Sequence, residues 1–288
     1  MTKQYLSLVQ KILKNGVSQK TRNGYTIATI GETLRFPLHN RKIPLLTTKK
    51  MAWKACLHEL LWFMRGETDN RLLLKDDVRI WSPNASREFL DSRGLYHLEE
   101  HDLGPIYGHQ WRNFNAPYKN CHENYADKGV DQLQNIVDSL KSPTERSSRR
   151  LILSAWNPLQ LDEMALPPCH TLAQFHVTND KELSCSLYQR SGDVGLGIPF
   201  NIASYSFLTH ILAHHCDLRA KEFIHFIGNA HIYEDHKIAL NIQTGRIPKP
   251  NPKLKICTKH ADISNYSIDD FKILDYEPYS TIQMKMRP

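Results

Sequence analysis

Leu172-Ala173-Gln174-Phe175-His176-Val177 and Leu183-Ser184-Cys185-Ser186-Leu187-Tyr188, followed by Ile202 to Cys216, decide the architecture. The first two runs are short, with apolar positions alternating or continuous, and read as strands. Ile202 to Cys216 is apolar on nearly every face and reads as a buried helix. Working outward, Leu151–Trp156 and Ile27–Phe36 read as further strands, and Leu254–Cys257 and Ile282–Met286 as short ones. Tyr5 to Leu13 is an amphipathic helix with Tyr5, Leu8, Val9, Ile12 and Leu13 on one face, ended by Gly16. Met51 to Met64 is apolar almost all round and predicts a core helix, stopped by Gly66. Strands and helices mix without a βαβ repeat, so the fold class is α+β, one domain over residues 1–288 with a mixed, largely buried sheet packed by helices. Residues 82–101 and 114–130 are polar, rich in turn formers and without a period; they predict surface insertions.

Composition narrows the function. With 41% hydrophobic and 23% charged residues the chain is of globular type. A net charge of +7 suits an anionic ligand, either a small phosphate ester or nucleic acid. There is no nucleic-acid-binding motif and no long basic run, which favours the small anion and argues against a dedicated nucleic-acid site. Six cysteines (Cys56, Cys121, Cys169, Cys185, Cys216, Cys257) form no C-x-x-C pair and no disulfide framework. The start Met1-Thr2-Lys3-Gln4-Tyr5 is unlike a signal peptide, and no apolar run reaches the ~18 residues of a membrane span. The expectation is a cytoplasmic protein with no membrane association.

Several groups could carry chemistry. Cys169, in Pro167-Pro168-Cys169-His170, is the candidate nucleophile. A thiolate needs nearby cations, which Arg190, Arg149 and Arg150 offer, and two prolines make a stiff turn that can present it. Glu59, in Cys56-Leu57-His58-Glu59-Leu60-Leu61-Trp62-Phe63, is a carboxylate in an apolar helix, suited to proton transfer or to a structural ion pair. Trp62 stands where a zinc-protease helix would carry its second His. Arg22, Arg149, Arg150 and Arg190 can grip phosphate through guanidinium forks. Asn201 can read an amide edge such as uracil N3–H and O4, or can cap the helix beginning at Ile202. His210 and His214, four apart with His215 and Cys216 beside them, have zinc spacing but no completing ligand, and read as helix-surface histidines. His231 and Tyr233, if extended, point at a common partner such as a sugar hydroxyl.

At this point the chain resembles thymidylate synthase. The motifs run in order: Pro44-Leu45-Leu46-Thr47-Thr48-Lys49, His58-Glu59-Leu60-Leu61-Trp62-Phe63, Leu103-Gly104-Pro105-Ile106-Tyr107-Gly108, Ser148-Arg149-Arg150, Ala165-Leu166-Pro167-Pro168-Cys169-His170, Gln189-Arg190-Ser191-Gly192-Asp193, and Gly197-Ile198-Pro199-Phe200-Asn201-Ile202-Ala203-Ser204-Tyr205. The resemblance implies a homodimer formed through the sheet and reductive methylation of dUMP to dTMP. The one-carbon and hydride donor would be the co-substrate 5,10-methylenetetrahydrofolate, with no metal. It also implies that Cys169 adds to C6 of the ring, that Asn201 reads the uracil edge, and that Arg22, Arg190 and Ser191 hold phosphate with Arg149 and Arg150 of the other subunit. His231 and Tyr233 would bind the ribose, Glu59 and Tyr107 would handle protons, and Asp193 would bind the pterin. Ile80, Trp81, Asn84, Leu196 and Phe200 would line the folate site, with Lys49 toward its glutamate tail. Family members acting on cytosine typically carry Asp at the position of Asn201, so Asn201 argues against dCMP.

Four departures stand out. The family's glycine- and threonine-rich loop reads Arg22-Asn23-Gly24-Tyr25-Thr26, Trp81 is followed by Ser82, Gly228 by Asn229, and the tail reads Met286-Arg287-Pro288. The loop and tail bear on closure. An open site would admit water and give 5-hydroxymethyl-dUMP with tetrahydrofolate, the deoxyuridylate hydroxymethylase reaction. Retained Trp81 favours methylation, and retained Cys169, Glu59, Tyr107 and Asn201 oppose a binding protein that has lost the reaction.

Overall fold

The computed structural model describes residues 2–21, 23–179 and 181–287. Helix α1 (Thr2–Asn15) buries Tyr5, Leu8, Val9 and Ile12, and Gly16 N–H closes it on Ile12 O at 2.8 Å. A strand hairpin follows, β1 (Val17–Thr21) and β2 (Gly24–Pro37). The apolar run after Met51 forms α2 (Trp53–Met64), and Gly66 ends it at φ +81, a conformation that L side chains rarely adopt. Shorter helices α3 (Asn70–Leu74), α4 (Arg87–Ser92), α5 (Tyr107–Asn113) and α6 (Gln132–Lys141) lead to the second strand block.

That block is β3 (Ile152–Ser154), β4 (His170–Thr178), β5 (Glu182–Asp193), helix α7 (Gly197–His215) and β6 (Arg219–Tyr233). Helix α8 (Lys237–Thr244) and a separate pair β7 (Lys253–Ile256) and β8 (Phe271–Leu274) complete the chain. The main sheet runs β1-β2-β6-β5-β4-β3; β5 and β6 are parallel and the other neighbours antiparallel, so the sheet is mixed, as the sequence predicts. Helix α7 is hydrophobic all round because it packs between the sheet and α2. Each large side chain it buries, such as Phe207 or Leu208, contributes roughly 1.5–3 kcal/mol.

Three expectations are corrected. Residues 82–101 are not a purely polar excursion: Ser86 caps α4 through Phe89 N–H at 3.2 Å, and Leu90, Leu95 and Leu98 are buried. Ile282–Met286 is not a strand, since the partner of β7 is β8 and the tail crosses the domain instead, with Tyr279 N–H donating to Thr47 O at 2.9 Å. His210 and His215 are buried, not surface groups, and His210 and His214 each meet a backbone carbonyl (Lys42 O at 2.9 Å, Thr258 O at 3.2 Å). No described helix is long and apolar enough to cross a membrane.

Candidate active site

The C-terminal ends of the parallel pair β5 and β6 open into a cavity of about 520 Å³. Cys169 is on its wall, directly before β4. Between His170 and Leu172 the β4–β5 register slips by one residue, a bulge that re-aims the chain beside the cysteine. The Pro-Pro turn is clamped from outside. Arg190 Nε donates to Pro168 O at 2.7 Å and its Nη2 to Pro167 O at 2.9 Å, while Arg190 N–H holds Cys169 O at 2.9 Å. That grip sets Nη2 3.9 Å from Cys169 Sγ, and the guanidinium also lies 5.7 Å over Trp156. A cation held this close favours thiolate over thiol.

Tyr107, the first residue of α5, approaches from the other side. Its hydroxyl accepts from Cys169 N–H at 2.7 Å, so its own proton remains available to another acceptor. The ring stacks on His170 at 4.2 Å, and burial, with Cys169 and Tyr205 close by, holds its pKa well above the usual tyrosine range. His170 is pushed the other way, down to about 3 by burial and Arg190, and is therefore neutral. Glu59 projects from α2 and accepts from Trp81 Nε1 at 2.7 Å. Burial raises its carboxyl to about 7, against the lowering effect of the Trp81 bond. A group titrating near neutrality is matched to moving protons.

On β5 and β6, Ser191, Asp193, Asn229, His231 and Tyr233 line the same cavity. Strand pairing sets His231 beside Asp193, and Tyr233 next along the same face. A side chain at Gly192, between Ser191 and Asp193, would force Ile198 and Gln189 to shift, since a Cβ there would meet Ile198 Cδ1 at 2.3 Å and Gln189 Nε2 at 2.9 Å. Asp193 Oδ1 accepts from Gly195 N–H at 2.8 Å. Asn201 is not the helix cap that one reading allowed, because α7 begins at Gly197 and carries Asn201 one turn in. Its Oδ1 accepts from Gln189 Nε2 at 2.9 Å, which turns the amide NH2 toward other partners.

The remaining predicted residues are distributed around this centre. Trp81 lines the cavity, edge-on to Tyr107 with ring centres 6.2 Å apart. Ile80, Leu196 and Phe200 are half-buried, and Asn84 is buried with its Nδ2 left without a protein partner. Lys49, expected toward a folate tail, is turned inward and buried. Its Nζ donates to Gly195 O at 2.6 Å, beneath Asp193, and burial lowers it to about 8. Arg149 and Arg150 are exposed and do not line the cavity. Arg22 lies outside the described residues. The sequence reading missed Trp156, Gln189 and His225 as site residues, and it flagged Arg287 only as part of a tail that bears on closure. Arg287 lines the cavity, pairs with Asp235 at 2.5 Å and lies 5.6 Å over the Tyr233 ring. The unusual tail thus reaches the cavity rim, at the place where the sequence reading had it bear on closure.

A thiol beside a fixed cation, a carboxyl near neutrality and an oriented amide suit covalent addition to an electron-poor, hydrogen-bonding ring. The family model for thymidylate synthase matches residues 3–288. The human thymidylate synthase is 50% identical over 98% of this chain and 90% of its own length. The thymidylate synthase of varicella-zoster virus (strain Dumas) is 49% identical over 98% of this chain and 93% of its own. A bifunctional dihydrofolate reductase-thymidylate synthase of Paramecium tetraurelia is 51% identical over 98% of this chain and 60% of its own length. The chain spans 48–60% of the length of such bifunctional relatives.

Proposed function

Because the chain belongs to the thymidylate synthase family, we propose that it converts dUMP to dTMP, with 5,10-methylenetetrahydrofolate giving dihydrofolate. The observation that carries this reading is Cys169 Sγ, held 3.9 Å from the clamped Arg190 and facing a cavity also lined by Asn201. The hydroxymethylase alternative finds no support among the relatives' names, which are those of thymidylate synthases.

In this mechanism Cys169 Sγ forms a bond to C6 of the uracil ring, and the C5–C6 π pair moves toward O4, making C5 nucleophilic. Splitting the substitution in this way lowers each barrier. Asn201 Nδ2 donates to O4 while the second lone pair of Oδ1 accepts N3–H. Cytosine reverses both, and each mismatched buried group costs about 1–3 kcal/mol. The folate supplies the carbon and the hydride. Glu59, raised to about 7, exchanges protons with O4 through water, and Tyr107 assists loss of the C5 proton. The electron pair left at C5 breaks the bond from the new carbon to the folate nitrogen and leaves an exocyclic methylene on the ring. Hydride from the tetrahydrofolate then adds to that methylene, its π pair re-forms the C5–C6 double bond, and Cys169 leaves as thiolate, giving dTMP and dihydrofolate.

Ser191, Arg190 and, on the family resemblance alone, Arg22 hold the phosphate; His231 and Tyr233 hold the ribose. Asp193 and the unpartnered Asn84 amide offer polar partners to the pterin beside Ile80, Trp81, Leu196 and Phe200. Lys49 acts from below, its ammonium stiffening the Gly195 turn under Asp193. A homodimer through the sheet completes the phosphate site with the partner's arginines. It is supported by an uncovered apolar face: Ile152, Tyr188 and Phe226 are 39%, 49% and 40% exposed, on strands whose register gives them one side. Free cysteines throughout suit a reducing, cytoplasmic setting.

The test is product analysis from dUMP and 5,10-methylenetetrahydrofolate, with fluorodeoxyuridylate as a trap. We expect dTMP, dihydrofolate and a covalent ternary complex that Cys169→Ser abolishes. Hydroxymethyl-dUMP with tetrahydrofolate, or no adduct, would overturn the reading.

A further inference from the structure

A second group of reactive side chains lies outside this cavity, where residues 114–130 fold over the start of α3. We propose that Asp69, Cys121 and His122, joined by Glu99, form a zinc site. Asp69, Cys121 and His122 each bring one donor atom within 4.8 Å of the others. Glu99 Oε1 lies 3.7 Å from Cys121 Sγ and 2.5 Å from His122 Nε2. Donors on a tetrahedral zinc are about 3.2–3.8 Å apart, so closing on the ion needs shifts of side chains and none of the fold. A thiolate, an imidazole and carboxylates are zinc ligands; magnesium and calcium would not take the sulfur.

The turn that carries the cysteine and histidine is fixed without any metal. Cys121 N–H donates to Asp102 Oδ2 at 2.9 Å, and the fully buried Asp102 also accepts from Tyr118 Oη at 2.6 Å. His122 N–H is held by Asn120 Oδ1 at 3.0 Å, and Tyr118 stacks on Tyr125 at 5.5 Å. The donors also already surround a cation. Arg71 Nη2 lies 2.5 Å from Glu99 Oε1, 3.1 Å from His122 Nε2 and 3.5 Å from Cys121 Sγ, while its Nε stays on Asp69 at 2.8 Å. Zinc would take the place of that guanidinium tip, which swings to solvent, and the Cys121 thiol would release its proton to the buffer on binding. Arg71 is therefore a competitor of the metal, a relationship that a purely structural ion-pair cluster would not have.

The experiment uses the full chain in metal-free buffer, titrated with zinc against a chromophoric chelator and separately with cobalt. One zinc per chain is expected, with a thiolate-to-cobalt charge-transfer band. Cys121→Ser and His122→Ala should each weaken binding by roughly 100-fold or more, above the usual cost of an outer partner. Arg71→Gln should tighten it. dUMP turnover without zinc should be unchanged in Cys121→Ser. Zinc binding that survives both ligand variants, a cobalt complex without the sulfur band, or weaker binding in Arg71→Gln would each overturn the site.

Discussion

Gln189 Nε2 donates to Asn201 Oδ1 at 2.9 Å and to Ser191 O at the same distance, while Gln189 Oε1 accepts from the fully buried His225 at 2.8 Å. The amide proposed to discriminate between pyrimidines is thus itself oriented by a buried relay, which fixes its direction in the protein alone. Gln189→Leu keeps the volume and removes all three bonds. We expect kcat/KM for dUMP to fall about 10- to 100-fold, and the preference for dUMP over dCMP to narrow, because a freed Asn201 amide can rotate. Competition kinetics with both nucleotides checks this; an unchanged ratio would show that Asn201 needs no orienting partner.

Glu59 links function to stability. Burial holds its carboxyl near 7, whereas in the unfolded chain it titrates near 4.5. Between those values the unfolded state binds fewer protons than the folded one, so stability falls as pH rises through this window. The loss is at most roughly 3 kcal/mol. Glu59→Gln cannot ionise and should escape it. The variant should gain on the wild type from pH 5 to pH 8 in urea unfolding while losing most turnover. A constant difference across that range would place the carboxyl in a solvated setting.

Trp81 Nε1 stabilises the ionised form of Glu59 through their 2.7 Å bond. Trp81→Phe should therefore raise the Glu59 pKa further. The pH–rate limb governed by this carboxyl should move to higher pH, with a smaller change in dUMP binding than in kcat. A limb that stays in place would assign the titration to another group.

Periodicity made the fold legible where one face or both are buried: α1, α2, α7 and the strands β2, β4 and β5 lie where their apolar patterns put them. It failed where context decides. Strand β6, with Lys221, His225 and Asn229 along it, has no clean alternation because it sits mid-sheet with a polar end at the cavity. The tail looked like a strand from Ile282–Met286, but it pairs with no strand among the described residues. Cys169 and Asn201 were visible as residue types in motifs. The Arg190 clamp on Pro167 and Pro168 was not, since nothing local says that a cation 22 and 23 positions away donates to these two carbonyls. Lys49 was placed by motif alone, and only packing turned it inward.

The exposed face of Ile152, Tyr188 and Phe226 and the outlying Arg149 and Arg150 make one joint prediction. If two chains pair through this face, covering it removes apolar surface from water at roughly 25 cal/mol per Å², and the arginines reach a neighbour's cavity. Phe226→Asp sets a carboxylate in the middle of that face, opposite Tyr188. It should shift the protein to monomers in sedimentation and reduce turnover more than 10-fold, because an unpaired buried charge costs several kcal/mol. The arginine half is tested by mixing subunits. Cys169→Ala and Arg149→Ala chains should each be nearly inactive alone, while their heterodimer would have one cavity with an intact cysteine and an arginine from the other chain. Random exchange should restore up to about a quarter of wild-type activity, since half the dimers are mixed and each has one complete site. No recovery after verified exchange would mean that Arg149 serves its own subunit.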